Sequence, residues 1–419
     1  MKKRNITRIL MAGLVTMTAA GASLAAELVA GTVISKANID QAKNDTFEGK
    51  TIASMLPEKV EWQVRNWGLT IKLRKSEPIA MDPKMVEATK KYAGSVKYDV
   101  AKNEVSGYKA GLPFPDVAPS DPNYAEKLVW NFYYGGPVGQ VMNLNFTYLL
   151  VDGDKGLERT QSWVLYRYFM KNRVTGKNTP VDGDGNVFTN TLLFATYPQD
   201  VKGLGLFTIR YDGPQFEDNW VYIKSSRRTR RLPGGAWMDP IGGTDQLKDD
   251  LEIWDARPSW YKGFKYLGKR WILAVAHQSN SSDLSKKGTL DAWPTVDLKN
   301  APYWNPLDAW EPRQVHVIET IAPDAHPYSK KILYMDVDYP RIYMGEAYDK
   351  KGEFWKWLFF SGRPLKGEDG TQTYISGQGH TIDFKRKHAT IFVNAPDVKT
   401  NSPWTAGDVT LGKLEAAGQ

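Results

Sequence analysis

The stretch SSRRTRRLPGG, residues 225–235, sets Arg227, Arg228, Arg230 and Arg231 around a single threonine. Guanidinium forks at this density suit an oxyanion, whether carboxylate, phosphate or nucleic-acid backbone. An alternating run, DNWVYIKSS, precedes the cluster. If that strand continues, Arg228 and Arg230 point one way while Arg227, Thr229 and Arg231 point the other. The charge is then divided over two faces. Asp245, Asp249, Asp250 and Glu252 follow closely as carboxylate partners. The cluster is therefore expected to be first a structural ion network, and second a contact for an anionic group or an acidic partner.

Other chemistry is thinly represented. His277, His316, His326, His380 and His388 form no HExxH motif, so zinc has no local support. VDGDGN (181–186) opens like a calcium loop, but Leu193 stands where the chelating acid is required, which predicts a plain turn. No serine sits in a G-x-S-x-G elbow and no glycine-rich loop matches a phosphate cradle. The pattern thus predicts no catalytic residues, no metal and no cofactor. Two carboxylates converging in space, as in a glycosidase, are the one enzymatic arrangement that local spacing does not report.

Where the chain folds limits what these groups can meet. Lys2, Lys3, Arg4 and Arg8 precede an apolar run, and Ser23 and Ala25 have the spacing of a signal-peptidase site. Residues 1–25 are expected to be a signal peptide cut after Ala25, which places the mature protein in the periplasm. Loss of those four basic residues lowers the formal net charge of +8 by four. The remaining excess is too small and dispersed for a nucleic-acid partner. The chain has no cysteine, so neither disulfides nor a thiolate site can staple it and its core must suffice. No later apolar run has the length of a membrane helix. The end, KLEAAGQ, lacks the terminal aromatic strand of an outer-membrane barrel. A soluble protein without stable membrane insertion is expected.

The elements that position the chemistry follow from periodicity. Residues 26–139 are mixed and partly helical. MDPKMVEATKKYAG has Asp82 as N-cap, Pro83 at the first helical position and Gly94 beyond the last turn; SDPNYAEKLVWNFYYGG repeats the device with Asp121, Pro122 and Gly135. From residue 140 to 419 the period becomes two. Met142, Leu144, Phe146, Tyr148 and Leu150 alternate with Asn143, Asn145 and Thr147. After the turn DGDKG, Val164, Tyr166, Tyr168 and Met170 alternate in their turn, which predicts a long antiparallel hairpin. Many further strands at short spacing predict a mainly β, α+β protein: one large curved antiparallel sheet, with helices packed across its concave side and residues 26–139 continuous with it. Fifteen Trp, 21 Tyr and 15 Phe supply large side chains for a core or for the lining of a cleft. The apolar face of the first hairpin, Leu144, Phe146, Tyr148, Val164, Tyr166 and Tyr168, is the expected ligand-binding groove, with a filled core as the competing outcome.

Five segments in this order, PQDVKGLGLFTIRY (198–211), WVYIKSSRRTRRL (220–232), IGGTDQLKDDL (241–251), WEPRQVHVIETI (310–321) and YSKKILYMDVDYPRIYMGEAYDKKGEFWK (328–356), carry a resemblance. Together they resemble an exported Gram-negative family of unknown function (DUF type), related to outer-membrane lipoprotein-sorting proteins. The resemblance implies a fold similar to the periplasmic lipoprotein carriers: an incompletely closed antiparallel β-barrel with helices covering its opening. Members are often encoded beside an outer-membrane channel-like protein and a resistance-nodulation-division type exporter, and the resemblance thereby implies a role in moving hydrophobic cargo. No catalytic residue is carried over. Lys224 stands where the pattern usually has proline, and Ser226 and Thr229 where it has apolar residues, so the cluster's surroundings are more polar than usual. The expected function is a periplasmic binding or carrier protein for a hydrophobic or amphipathic molecule or lipid, in contact with envelope transport proteins. A non-catalytic structural adaptor and a glycan-binding or glycan-cleaving protein are the alternatives.

Overall fold

The computed structural model describes residues 25–135, 139–174, 185–224 and 226–418. The leader up to residue 24, positions 181–184 of the acidic turn and Ser225 lie outside them. Thirteen long strands make most of one sixteen-stranded sheet. They are β1 (Val141–Asp152), β2 (Gly156–Phe169), β3 (Val187–Tyr197), β4 (Gly205–Tyr211), β5 (Asp218–Ile223), β6 (Arg228–Leu232), β7 (Gly263–Ala274), β8 (Ala309–Ile321), β9 (Lys330–Asp336), β10 (Ile342–Tyr348), β11 (Phe354–Lys366), β12 (Gln372–Asp383) and β13 (His388–Asn394). Helices α1 (Glu58–Trp67), α2 (Pro83–Tyr92), α3 (Tyr124–Gly135) and α4 (Leu411–Gly418) flank it.

The strands run in the order β7-β8-β9-β10-β11-β12-β13-β1-β2-β3-β4-β5-β6. All these neighbours are antiparallel. The sheet as a whole is mixed, because the short strand Ile71–Leu73 joins β8 in parallel and brings the N-terminal segment into it. Nine inter-strand steps separate β9 from β5, about 43 Å in a flat sheet. Yet Lys248 reaches Asn219 on β5 while its neighbour Asp249 pairs with Lys331 on β9. The sheet must therefore curl around the segment 236–262, termed the strap below. No pairing joins β6 to β7 among the described residues, so the curl is not closed into a barrel.

Each face of the curl has its own core. The outer face of β7–β13 packs Trp310, Trp357 and Phe359 against Ile52, Val60 and Val64 of the N-terminal segment. On the inner face, Val129 and Phe132 of α3 meet Trp254 of the strap and Phe264, Leu333, Leu358 and Phe360 of the sheet. A third core lies outside β1–β5, where Leu414 of α4 packs on Tyr168, Phe207 and Tyr222. Of the helices expected across the concave side, α3 takes that position, whereas α1 and α4 brace the outer face. The capping signals hold: Asp82 accepts from the Lys84 amide at 2.8 Å and Pro83 opens α2. In α3 they hold only in part: Asp121 accepts the Asn123 amide, but Pro122 precedes the helix, which begins at Tyr124, and Gly135 is its last residue instead of lying beyond it.

Register decides what the inner face carries. Along most of the first hairpin, Leu144 lies opposite Leu165 and Met142 opposite Arg167. Near the turn the pairing shifts: Leu150 opposes Arg159, but Val151 opposes Leu157. Glu158 is the extra residue of a β-bulge, and one extra residue exchanges the two faces of everything beyond it. The face of β1 with Leu144 is therefore continued on β2 by Trp163, Leu165, Arg167 and Phe169.

Candidate functional site

Inside the curl, the inner face of β1–β4 packs in part against Ile241 and Leu251 of the strap but is not completely filled. Between it, the C-terminal turn of α3 and the strap lies a cavity of ≈ 150 Å³. Its floor is built in rows across the strands. One row is apolar: Leu144, Leu165, Leu193 and Leu206 are successive cross-strand partners. The adjacent row, two residues along and about 6.7 Å away, is polar: Arg167, Thr191, Thr208 and Asn219. Beyond it stand Phe169, Thr189 and Arg210. At the apolar end, Phe146, Tyr148 and Phe392 close the wall, with Phe146 and Phe392 ring centroids 4.8 Å apart. Phe360 completes it by lying over Gly379, where a Cβ would come within 2.5 Å of the ring.

The charged end is mostly self-neutralised. Arg210 donates to Glu217 at 3.0 Å and to Asp255 at 2.7 Å. Lys248 bonds Glu217 and donates to Asn219 at 2.9 Å and to Thr208 at 3.3 Å. Burial alone would raise the Glu217 carboxyl, but Lys248 and Arg210 outweigh it and hold it below the ordinary carboxylate range. Glu252 is engaged by Arg341 and by Ser376. A carboxylate held ionised by a cation is a poor general acid. The arrangement is suited to holding a guest with one apolar and one polar end.

The strap that roofs this cavity is fastened from beneath. Lys331 pairs with Asp249 at 3.0 Å and Asp250 at 2.8 Å and donates to the carbonyls of Asp249 and Ile253, with all three side chains fully buried. Asp245 is held by Thr390 and by His388, whose Nδ1 lies 2.5 Å from it. Gln246 accepts from the Tyr148 hydroxyl at 2.8 Å.

Of the expected groove residues, Leu144, Phe146 and Tyr148 line the cavity. Val164, Tyr166 and Tyr168 do not: the bulge at Glu158 turns them to the opposite face. There Tyr166 packs on Trp404, centroids 4.4 Å apart, and Tyr168 accepts from Arg173. The arginine cluster also differs from expectation. Arg227 sits in the turn with φ +50°, and Arg228 and Arg230 are exposed on β6 with no ion-pair partner among the described residues. Arg231 pairs with Asp218, and Thr229 donates to Glu415 of α4 at 2.9 Å. Asp245, Asp249, Asp250 and Glu252, expected as partners of the arginines, are instead claimed by the strap's own contacts. Most of the cavity lining lies outside the expected set, Leu165, Leu193, Phe360 and Arg167 among it, and Arg167 is the one of these with a local signal. Its signal was a lone cation inside WVLYRYFM, a stretch apolar on both faces.

A family model described as Protein of unknown function (DUF1329) matches residues 33–410. The chain belongs to this family. All five segments of the resemblance fall inside the DUF1329 match. The uncharacterized protein PA3922 of Pseudomonas aeruginosa is 24% identical over 289 residues, which is 64% of this chain and 57% of that relative. The chain thus spans less than two thirds of the curated relative it matches. Among solved structures, a DUF1329 family protein from Desulfovibrio piger is similar at 17% identity, with a TM-score of 0.45 over 66% of this chain and 92% of that one. A LolA superfamily protein from Nitrosomonas europaea is similar at 13% identity, with a TM-score of 0.38 over 66% and 92% of the two chains.

Proposed function

We propose that the protein binds a hydrophobic or amphipathic molecule inside the curled sheet and carries it in the periplasm between membrane partners. One observation supports this above the others: the cavity's open volume is lined by the apolar row Leu144–Leu165–Leu193 and, beside it, by a polar row that carries Arg167. Burial of a guest's apolar surface there yields about 25 cal/mol per Å². The open volume of ≈ 150 Å³ lies below the roughly 300–1,000 Å³ of sites that enclose drug-sized ligands. It holds a short apolar segment as it stands, and a longer guest requires the strap to lift from the floor. Among the described residues no helix is long and apolar enough to cross a membrane. Contact with envelope transport proteins belongs to the same proposal. The exposed Arg228 and Arg230 on the β6 edge, with Arg227 in the turn before it, are its candidate surface for an acidic partner.

The test is native mass spectrometry of the full chain expressed with its leader and isolated from the envelope. A protein mass carrying a releasable lipid-like adduct is expected, and Leu165→Glu, which puts a carboxylate on the apolar row, should remove it while the fold is retained. A bare chain that also fails to brighten the apolar probe N-phenyl-1-naphthylamine would sink the proposal.

A further inference from the structure

Among the described residues, the cavity holds one cation without an ion-pair partner. Glu217 is shared by Lys248 and Arg210, Asp255 by Arg210, and Glu252 by Arg341. Arg167, on the same wall, has no carboxylate at ion-pair distance among the described residues. Its Nη2 makes only a long 3.5 Å contact with the Gly139 carbonyl. Its Nε is shielded from water and has no hydrogen-bond partner. The guanidinium lies 5.2 Å from the Phe169 ring centroid, a contact that satisfies none of its donors.

Arg167 is half-buried, and a cation even partly withdrawn from water without a counter-ion costs stability. When it faces a cavity rather than packed side chains, the counter-ion has room to be a guest. Thr191, its cross-strand neighbour, adds a hydroxyl beside it, and the planar fork matches an oxyanion better than a point charge would. Lys248 and Arg210 are poorer receivers, because drawing them to a guest would leave Glu217 buried and unpaired.

We propose that Arg167 is the head-group site of the cavity. Its guest is a single-chain amphipath with one negative charge, the oxyanion resting on the guanidinium and the chain along Leu165, Leu144 and Leu193. This rests on the carrier reading above and adds the class of cargo. One charge follows from Arg167 being the single unmatched cation of the cavity among the described residues. One chain follows from the small open volume.

The experiment titrates the full chain, freed of endogenous lipid, with dodecanoate, 1-dodecanol and lauroyl-lysophosphatidylglycerol by displacement of N-phenyl-1-naphthylamine. It compares the natural protein with Arg167→Met and Arg167→Lys. The natural protein should prefer at least one of the two anions over dodecanol by about tenfold or more. Arg167→Met should bring that ratio near one while dodecanol still binds, and Arg167→Lys should restore part of it. The anion that loses more names the head group as carboxylate or phosphodiester. Thermal unfolding supplies a second readout: Arg167→Met should be no less stable than the natural protein without ligand, whereas a scaffold residue would lose stability. If the natural protein binds dodecanol as tightly as both anions, or Arg167→Met keeps the preference, the head-group assignment is wrong and the carrier reading stands. If none of the three displaces the probe, the carrier reading itself is wrong.

Discussion

A fully buried ion cluster of this fold is built on a residue the sequence does not advertise. Lys331 stands in an ordinary strand segment, KKILYMD, yet its ammonium is fully buried between Asp249 and Asp250. Burial would raise the Asp249 carboxyl, but Lys331 and His326 hold it down at about 2. The Tyr261 hydroxyl donates to Asp249 at 2.5 Å and that of Tyr328 to Asp250 at 2.8 Å. Lys331→Met removes the cation and strands two buried carboxylates, so it should cost about 3–5 kcal/mol in urea unfolding. A loss under about 1 kcal/mol would show that the strap is not held from below. Arg231→Ala is the contrast: its pair with Asp218 is mostly solvent-exposed, and such pairs contribute little. No measurable loss is expected from it. A dense arginine run catches the eye because charge is visible locally, whereas the weight of a charge depends on burial, which is set by the tertiary fold.

Strands β1 and β2 show how far periodicity reaches. The inward residues of β1 were legible because its opposite face is polar, with Asn143, Asn145 and Thr147. On β2 both faces are apolar: Trp163 and Leu165 point inward, and Val164 and Tyr166 outward. Alternation alone cannot say which set faces the interior of such a strand. Counting from the turn would give the even set, and that count fails only because Glu158 is inserted as a bulge. The sheet order was likewise beyond local pattern, since β13 meets β1 across most of the chain. Consecutive substitutions on β2 should therefore alternate in effect. Leu165→Glu should abolish uptake of the naphthylamine probe with a modest change in melting temperature. Tyr166→Ala should leave uptake intact and lower stability by about 1–3 kcal/mol through the lost packing on Trp404. Equal effects of both on uptake would contradict the register.

Across the whole molecule, the histidines make the hold on the strap depend on pH. His388 joins the strap to the sheet: its Nδ1 faces Asp245, its Nε2 lies 3.2 Å from the bulge residue Glu158, and Arg386 stands nearby as a like charge that opposes protonation. The Asp245 hydrogen bond is the main cause that raises the His388 imidazole above its ordinary 6.5. Its contribution is therefore complete below pH 6.5 and is lost as pH rises through the higher folded value. His316 and His380 act in the opposite sense. Burial lowers them to about 4 and about 3, so between those values and 6.5 the unfolded chain binds protons that the folded chain refuses. Stability then rises with pH through that window. The two trends place a maximum near pH 6.5, flanked by an acid limb from buried neutral histidines and an alkaline limb from the strap tie. Melting temperatures from pH 5 to 9 should trace this shape, below the range where tyrosine and lysine titrate. His388→Gln should flatten the alkaline limb and spare the acid one, because it removes the group whose charge fastens the strap and leaves His316 and His380 in place. An unchanged alkaline limb would mean that Asp245 holds the strap through Thr390 alone, and that pH does not reach the roof of the cavity.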